Sequence, residues 1–163
     1  MTASWSLNRT WITGEIVTAS LLNTYLRDNL DWLKSPTDSG RVQITADFTT
    51  TSASYTDVTG ITTTITTNGG GLLVIFRATM RNSSPAAMLF QLVIDGSSVE
   101  LLGSCFTSST TNNVWTLATH ISAISSGSHT IKLQTKCAAG TTTIQGTTAG
   151  TAEPLFYVVE FGD

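Results

Sequence analysis

The chain has 163 residues, 40% of them hydrophobic and only 12% charged, with a net charge of −3. That length fits one compact domain plus an appendage, and the charged share is about half that of an ordinary globular domain. The eight Lys and Arg residues are scattered, which excludes a phosphate-backbone binder needing a basic cluster. No apolar run reaches the about 18–20 residues of a membrane span.

With so little charge, the polar surface must come from the abundant Ser and Thr hydroxyls, and β-branched Thr suits a pleated sheet. The opening residues Met1 to Trp5 lack the basic and apolar regions of a secretion signal. A Thr- and Gly-rich, Lys-poor chain of this kind fits extracellular or particle-bound β structure, reached by a route other than ordinary secretion.

Residues 1–17 hold Trp5 and Trp11 in a stretch too short to bury them. Ile12, Ile16 and Val17 are interspersed with polar residues. The segment either folds back on the rest of the chain or docks on another protein. Buried aromatics dominate interface energetics, so docking is the preferred reading, with Trp5 and Trp11 as anchors.

Residues 18–35 carry the one predicted helix. Thr18 is placed to cap its first turn. Leu22, Leu26, Leu30 and Leu33 recur at helical spacing, and Pro36 pushes Ser35 out of the α region. Leu26, Leu30 and Leu33 can be read as consecutive heptad core positions with Asn23 one step earlier. The stripe must be buried, either against the rest of the chain or in a short bundle of copies.

Residues 36–40 are a linker by composition. From residue 41 to 163 the texture is that of short strands with turn signals every 8–12 residues. Strands are predicted over 41–48 (Val42, Ile44 and Ala46 on one face), 55–58, 61–67, 72–81, 87–94, 99–102, 114–124, 129–137, 141–145 and 153–161. Asn68 to Gly71 and the pair Asp95 and Gly96 are the clearest turns. No helical period intervenes, so parallel βαβ folds are excluded. A mainly β sandwich of jelly-roll type follows. The runs Leu72–Phe76, Met88–Ile94 and Leu155–Phe161 are apolar on both faces, which calls for a cover on the second face, most simply another subunit.

Chemistry is sparse. His120 and His129 belong to no metal-spaced pair, no G-x-S-x-G elbow occurs, and no calcium loop is present. No catalytic residue, metal or cofactor is expected, and the chain is not read as an enzyme. Phe106, Asn112, Asn113 and Trp115 are the candidates for ligand binding, with Trp115 also a candidate core residue. Cys105 and Cys137 are expected as small buried thiols, with a cross-strand bridge as the alternative.

Trp11, Gly14, Glu15, Val17, Thr18, Ala19, Leu22, Asn23, Arg27, Asp28, Asn29 and Leu30 together match the pattern W-x-x-G-E-x-V-T-A-x-x-L-N-x-x-x-R-D-N-L. This stretch resembles the N-terminal segment of many tailed-bacteriophage structural proteins. Residues 41–163 are similar in texture to the tumour-necrosis-factor-like and C1q-like jelly-roll heads that follow such segments. The likeness includes the run from Ser126 to Leu133 and the closing strand Phe156 to Phe161. The resemblance implies a homotrimer on the surface of a virion, its knob outward and its N-terminal segment held by another virion protein, of the capsid or of the tail and baseplate. A capsid decoration or head fibre is slightly favoured because the chain has no long shaft. The alternative is a tail fibre or receptor-binding tip recognising a host-surface glycan or protein. Neither nucleic acid nor membrane insertion is implied.

Overall fold

The computed structural model describes residues 6, 9–30, 39–107, 111–147 and 154–161. The chain divides into two units, Met1–Thr37 and Asp38–Asp163.

The larger unit is built from ten strands: β1 (Ser39–Val42), β2 (Phe48–Thr50), β3 (Thr56–Asn68), β4 (Gly71–Asn82), β5 (Ala86–Ile94), β6 (Ser97–Thr107), β7 (Asn113–Ile121), β8 (Ser126–Cys137), β9 (Thr142–Ile144) and β10 (Leu155–Phe161). They form two antiparallel sheets. One runs β1-β10-β4-β7, and the other runs β3-β8-β5-β6. β4 carries β10 along residues 71–77 and β9 along residues 80–82 of one edge, with β7 on the opposite edge and β2 outside β9. Early and late strands alternate in each sheet. That order is two interlocked Greek keys, the jelly roll that the strand pattern predicts.

Alternation fixes which side chains meet between the sheets. Leu72, Val74, Phe76, Ala78 and Met80 of β4 face Met88, Phe90 and Leu92 of β5, with Ile131 and Leu133 of β8 and Phe156 and Val158 of β10 closing the core. Phe76 and Phe90 pack with ring centroids 5.6 Å apart. Each of these buried side chains other than Ala78 contributes about 1.5–3 kcal/mol of hydrophobic stabilisation. Asp95 and Gly96 both have positive φ, 50° and 83°, and make the two-residue type I′ turn that matches the twist of the hairpin β5–β6.

Three sequence expectations change. The predicted strands 55–58 and 61–67 are one strand, β3, interrupted by a bulge between Asp57 and Thr62. Val58 and Ile61 are three residues apart and both are buried. A regular strand would put them on opposite faces, so the bulge resets the parity. The predicted strand 41–48 is instead β1, an irregular stretch, and β2. The chain leaves the edge of β10 after Val42 and joins the edge of β9 at Phe48, with Ile44 buried and Ala46 exposed. The predicted strand 99–102 extends over all of β6, with its backbone paired to β5 from Ser97 to Thr107.

The expected helix also departs from regularity. Thr18 caps α1 (Ala19–Leu22), which runs straight into a π-helical turn, Asn23–Arg27, before α geometry resumes at residues 28–30. Leu33 and the linker up to residue 38 lie outside the described residues.

Candidate functional site

The N-terminal unit folds into a hook held by the polar members of the matched pattern. Ile12 to Glu15 form a turn in which the Glu15 amide donates to the Ile12 carbonyl at 3.1 Å. Gly14 sits at its third position with φ of +83°, a conformation that favours glycine there. The Glu15 carboxylate accepts from the Ile12 amide at 3.4 Å and pairs with Arg9. The Arg9 guanidinium lies 5.2 Å from the Trp11 ring centroid and 5.7 Å from that of Tyr25. The two rings meet edge to face at 6.4 Å, a favoured arrangement for cation–π and aromatic pairs.

On the helix, the Thr18 hydroxyl accepts from the Leu21 amide at 3.3 Å. Asn29 is buried. Its carbonyl oxygen accepts from the Ser6 amide at 2.9 Å, and its NH2 donates to the Ser6 carbonyl at 3.1 Å. The side-chain amide thereby pairs with a peptide group as a neighbouring strand would, tying Ser6 to the helix at Asn29. Arg27 and Asp28 form an exposed ion pair at 2.7 Å, worth little in water.

The apolar side chains of this unit stand largely open among the described residues. Ile12 and Ile16 are 72% and 83% exposed, and Trp11, Val17, Leu22, Leu26 and Leu30 are also exposed. Trp11 rests on Tyr25 with much of its surface still open. Trp5 lies outside the described residues.

The knob carries a second apolar surface, the outer face of the β1-β10-β4-β7 sheet. Register places Arg41, Tyr157, Ile75 and Ala118 in one row across this face, and Val159, Leu73 and His120 in the next. Leu73, Ile75, Tyr157 and Val159 are half-buried and Phe161 is exposed. His120 stacks on Phe161 with centroids 5.0 Å apart. Arg77 sits in the row beyond Ile75, beside Leu155 and Thr116. The outer face of the other sheet is more polar, although Leu101 is exposed beside Gln91 and Leu89 is half-buried there. There Asp57 accepts from Lys132 at 3.1 Å and from Gln134 at 2.7 Å, and Gln134 accepts from Gln91 at 2.6 Å. The bonds to Gln134 and Lys132 hold the Asp57 carboxyl below its usual range.

Among the described side chains, the candidate ligand residues Asn112, Asn113 and Trp115 do not converge. Trp115 points inward from β7 and packs against the core, with its indole N–H buried and lacking an acceptor among the described residues. It is therefore a core residue. Asn112 and Asn113 are exposed, and Asn113 donates to the Thr111 carbonyl at 3.0 Å. The Phe106 side chain lies outside the described residues, and its backbone pairs with Ala87. A cavity of about 300 Å³ is lined by Arg81, Ser83, Thr141 and Thr143, one cation among hydroxyls with no nucleophile–base pair. Among the described residues no cluster of His, Cys, Asp or Glu could hold a metal.

Both cysteines are free and buried. Cys105 and Cys137 each pair with Met88, from opposite sides of β5. Two strand spacings, about 9.5 Å, separate them, too far for a bridge. Burial pushes the Cys105 thiol up to about 12. Sequence reasoning missed two sites: His129, bonded to Asp95 and Ser125, and Glu160, whose carboxylate gathers three turn amides.

No family model matches the chain, and no curated protein does. Among solved structures it is similar to Eiger TNF from S. frugiperda, at 13% identity over 78% of this chain and 94% of that one, with a TM-score of 0.49. It is also similar to the C-terminal CBM6 of LamC from Zobellia galactanivorans, at 16% identity over 78% and 94%, with a TM-score of 0.37. A third is infectious bursal disease virus, Gx strain, at 11% identity over 75% and 30%, with a TM-score of 0.41. The larger unit of this chain is a mainly β jelly roll, as its own strand order establishes.

Proposed function

We propose that this chain is a structural protein of a bacteriophage particle, homotrimeric, attached through its N-terminal segment and displaying the jelly-roll knob, as a capsid decoration or head fibre. The observation that carries this reading is the division of labour within the matched pattern. Gly14, Glu15, Thr18 and Asn29 are consumed in folding the hook, while Trp11, Val17, Leu22 and Leu30 stay exposed. A segment that orders itself with polar groups and leaves its large apolar groups outside is built to bury them on something else.

Two features support self-association. The outer face of the β1-β10-β4-β7 sheet presents Leu73, Ile75, Tyr157 and Val159 side by side, flanked by Arg41 of β1 and His120 of β7. The π-turn also sets the leucine stripe. The Asp28 amide bonds back to the Asn23 carbonyl, five residues earlier, which inserts one residue into the helix. Eight residues of plain α-helix would carry Leu22 about 80° away from Leu30. With one residue absorbed, the step acts as a heptad and the two leucines line up within about 20°. Leu22, not Asn23, thus stands one heptad before Leu30, with Leu26 between them.

Three weak docking contacts on one trimer add up to firm attachment through effective concentration. The test uses phage particles grown without this protein and complemented with variants. Trp11→Ala and Val17→Asp should cut incorporation into particles at least tenfold, while the purified variants keep the knob's thermal midpoint. Incorporation of both variants at the wild-type level would overturn the reading.

A further inference from the structure

His129 occupies the first core-facing position of β8 and is only 7% exposed. Its Nδ1 lies 2.7 Å from a carboxylate oxygen of Asp95, and its Nε2 lies 2.8 Å from the Ser125 carbonyl oxygen. Both partners are acceptors. A neutral imidazole has one N–H and one lone pair, so it can satisfy only one of them and must turn its lone pair on the other. The imidazolium, with two N–H groups, satisfies both.

The partners are themselves fixed. Asp95 sits in the type I′ turn between β5 and β6, its amide donating to the Thr130 carbonyl at 3.0 Å and its other carboxylate oxygen accepting from the Thr130 amide at 2.9 Å. The Ser125 carbonyl, in the loop that crosses from β7 to β8, also accepts from the Thr67 hydroxyl of β3 at 2.7 Å. On β3 the cross-strand neighbour of His129 is the uncharged Ile65. From β10 of the facing sheet, the Glu160 carboxylate acts on the ring by charge. Asp95 and Glu160, from two different elements, thus both favour a positive ring.

We propose that His129, Asp95 and the Ser125 carbonyl form a proton-gated latch. It pins the β5–β6 turn and the β7–β8 loop to one end of the knob while the ring carries two protons, and lets go when the ring loses one. The bond to Asp95 raises the imidazole's pKa above its ordinary 6.5. Burial opposes this, and the Ser125 carbonyl and the charges of Asp95 and Glu160 add to the rise. The same bond, with the Thr130 amide, lowers that of Asp95 from 3.8. The His129 contribution is therefore complete below pH 6.5 and is lost as pH rises through the raised value. The Asp95 contribution is complete above pH 3.8 and is lost as pH falls through the lowered value. The latch is fully closed between those limits.

The test is nitrogen-detected NMR of the full chain carrying His120→Gln, so that His129 is its one imidazole. At pH 6 both ring nitrogens should be protonated, and the titration midpoint should lie above 6.5. Asp95→Asn should move that midpoint down. The wild-type thermal midpoint should fall between pH 6 and pH 8.5, and that of His129→Gln should be flat over the same range. A midpoint at or below 6.5, or one that Asp95→Asn leaves unmoved, would overturn the latch, and either result can be read even if His129→Gln does not fold.

Discussion

Glu160 shows what one buried carboxylate can do for a turn. It is 1% exposed and accepts from the amides of Asn68, Gly69 and Gly70 at 2.7, 3.1 and 3.0 Å. These donors belong to the turn between β3 and β4, which the chain reaches some ninety residues earlier. The turn presses so closely on β10 that a Cβ on Gly70 would collide with the Phe161 carbonyl. Glu160→Ala removes the acceptor and leaves three amides in a dry site, and should cost about 3 kcal/mol in urea unfolding. Glu160→Gln keeps one oxygen for the same amides and should cost less. Equal stability of wild type and Glu160→Ala would show that water serves the turn as well as the carboxylate does. The alternation of the closing strand already put Glu160 on the face of Phe156 and Val158, so a carboxylate facing the core was visible in the sequence. Its partners were not, because they are backbone amides of a distant turn and carry no side-chain signature. His129 and Asp95 escaped for a related reason: they are 34 residues apart and meet only because β8 lies beside β5.

Among the elements, the helix is where spacing misled and then explained most. Periodicity alone assumed 3.6 residues per turn throughout, which put Asn23 in the seam. The π-turn breaks that assumption, and no residue type announces it. Its effect is confined to register, so it is testable by length. Deleting Thr24 should return the stretch to plain α-helix with Leu22 seven residues before Leu30 and still within about 20° of it, and so leave self-association of the full chain at its wild-type level in sedimentation. The knob's thermal midpoint should stay unchanged. A several-fold loss of association would contradict the register that the π-turn gives the leucines. The hook preceding the helix was better served by sequence, since Gly14 and Thr18 have local roles that follow from turn and cap chemistry. Asn29 does not: its partner Ser6 is reached only after the chain reverses at Gly14. Strand breaks followed the same rule. Hairpins closed by Asp95 and Gly96 were readable, whereas the bulge in β3 and the hand-over from β1 to β2 depend on which edge is free.

At the level of the whole molecule, the two sheets differ in their outer faces, and the difference points to assembly. The β3-β8-β5-β6 sheet shows water a ladder of Asp57, Gln134, Lys132 and Gln91, with Leu101 exposed beside it. The β1-β10-β4-β7 sheet shows Leu73, Ile75, Tyr157 and Val159. Strands apolar on both faces were evident in the sequence, and strand order shows that two of them, β4 and β10, lie side by side. Together the sheet face and the leucine stripe make a trimer the central claim, and its mass is the direct measurement. Light scattering on the full chain, at 17.3 kDa per copy, should give three times that mass. Ile75→Asp, which sets a carboxylate beside Leu73 and Tyr157, should shift the mass toward one copy while the strand circular dichroism is kept. A wild-type mass of a single copy at micromolar concentration would contradict the account.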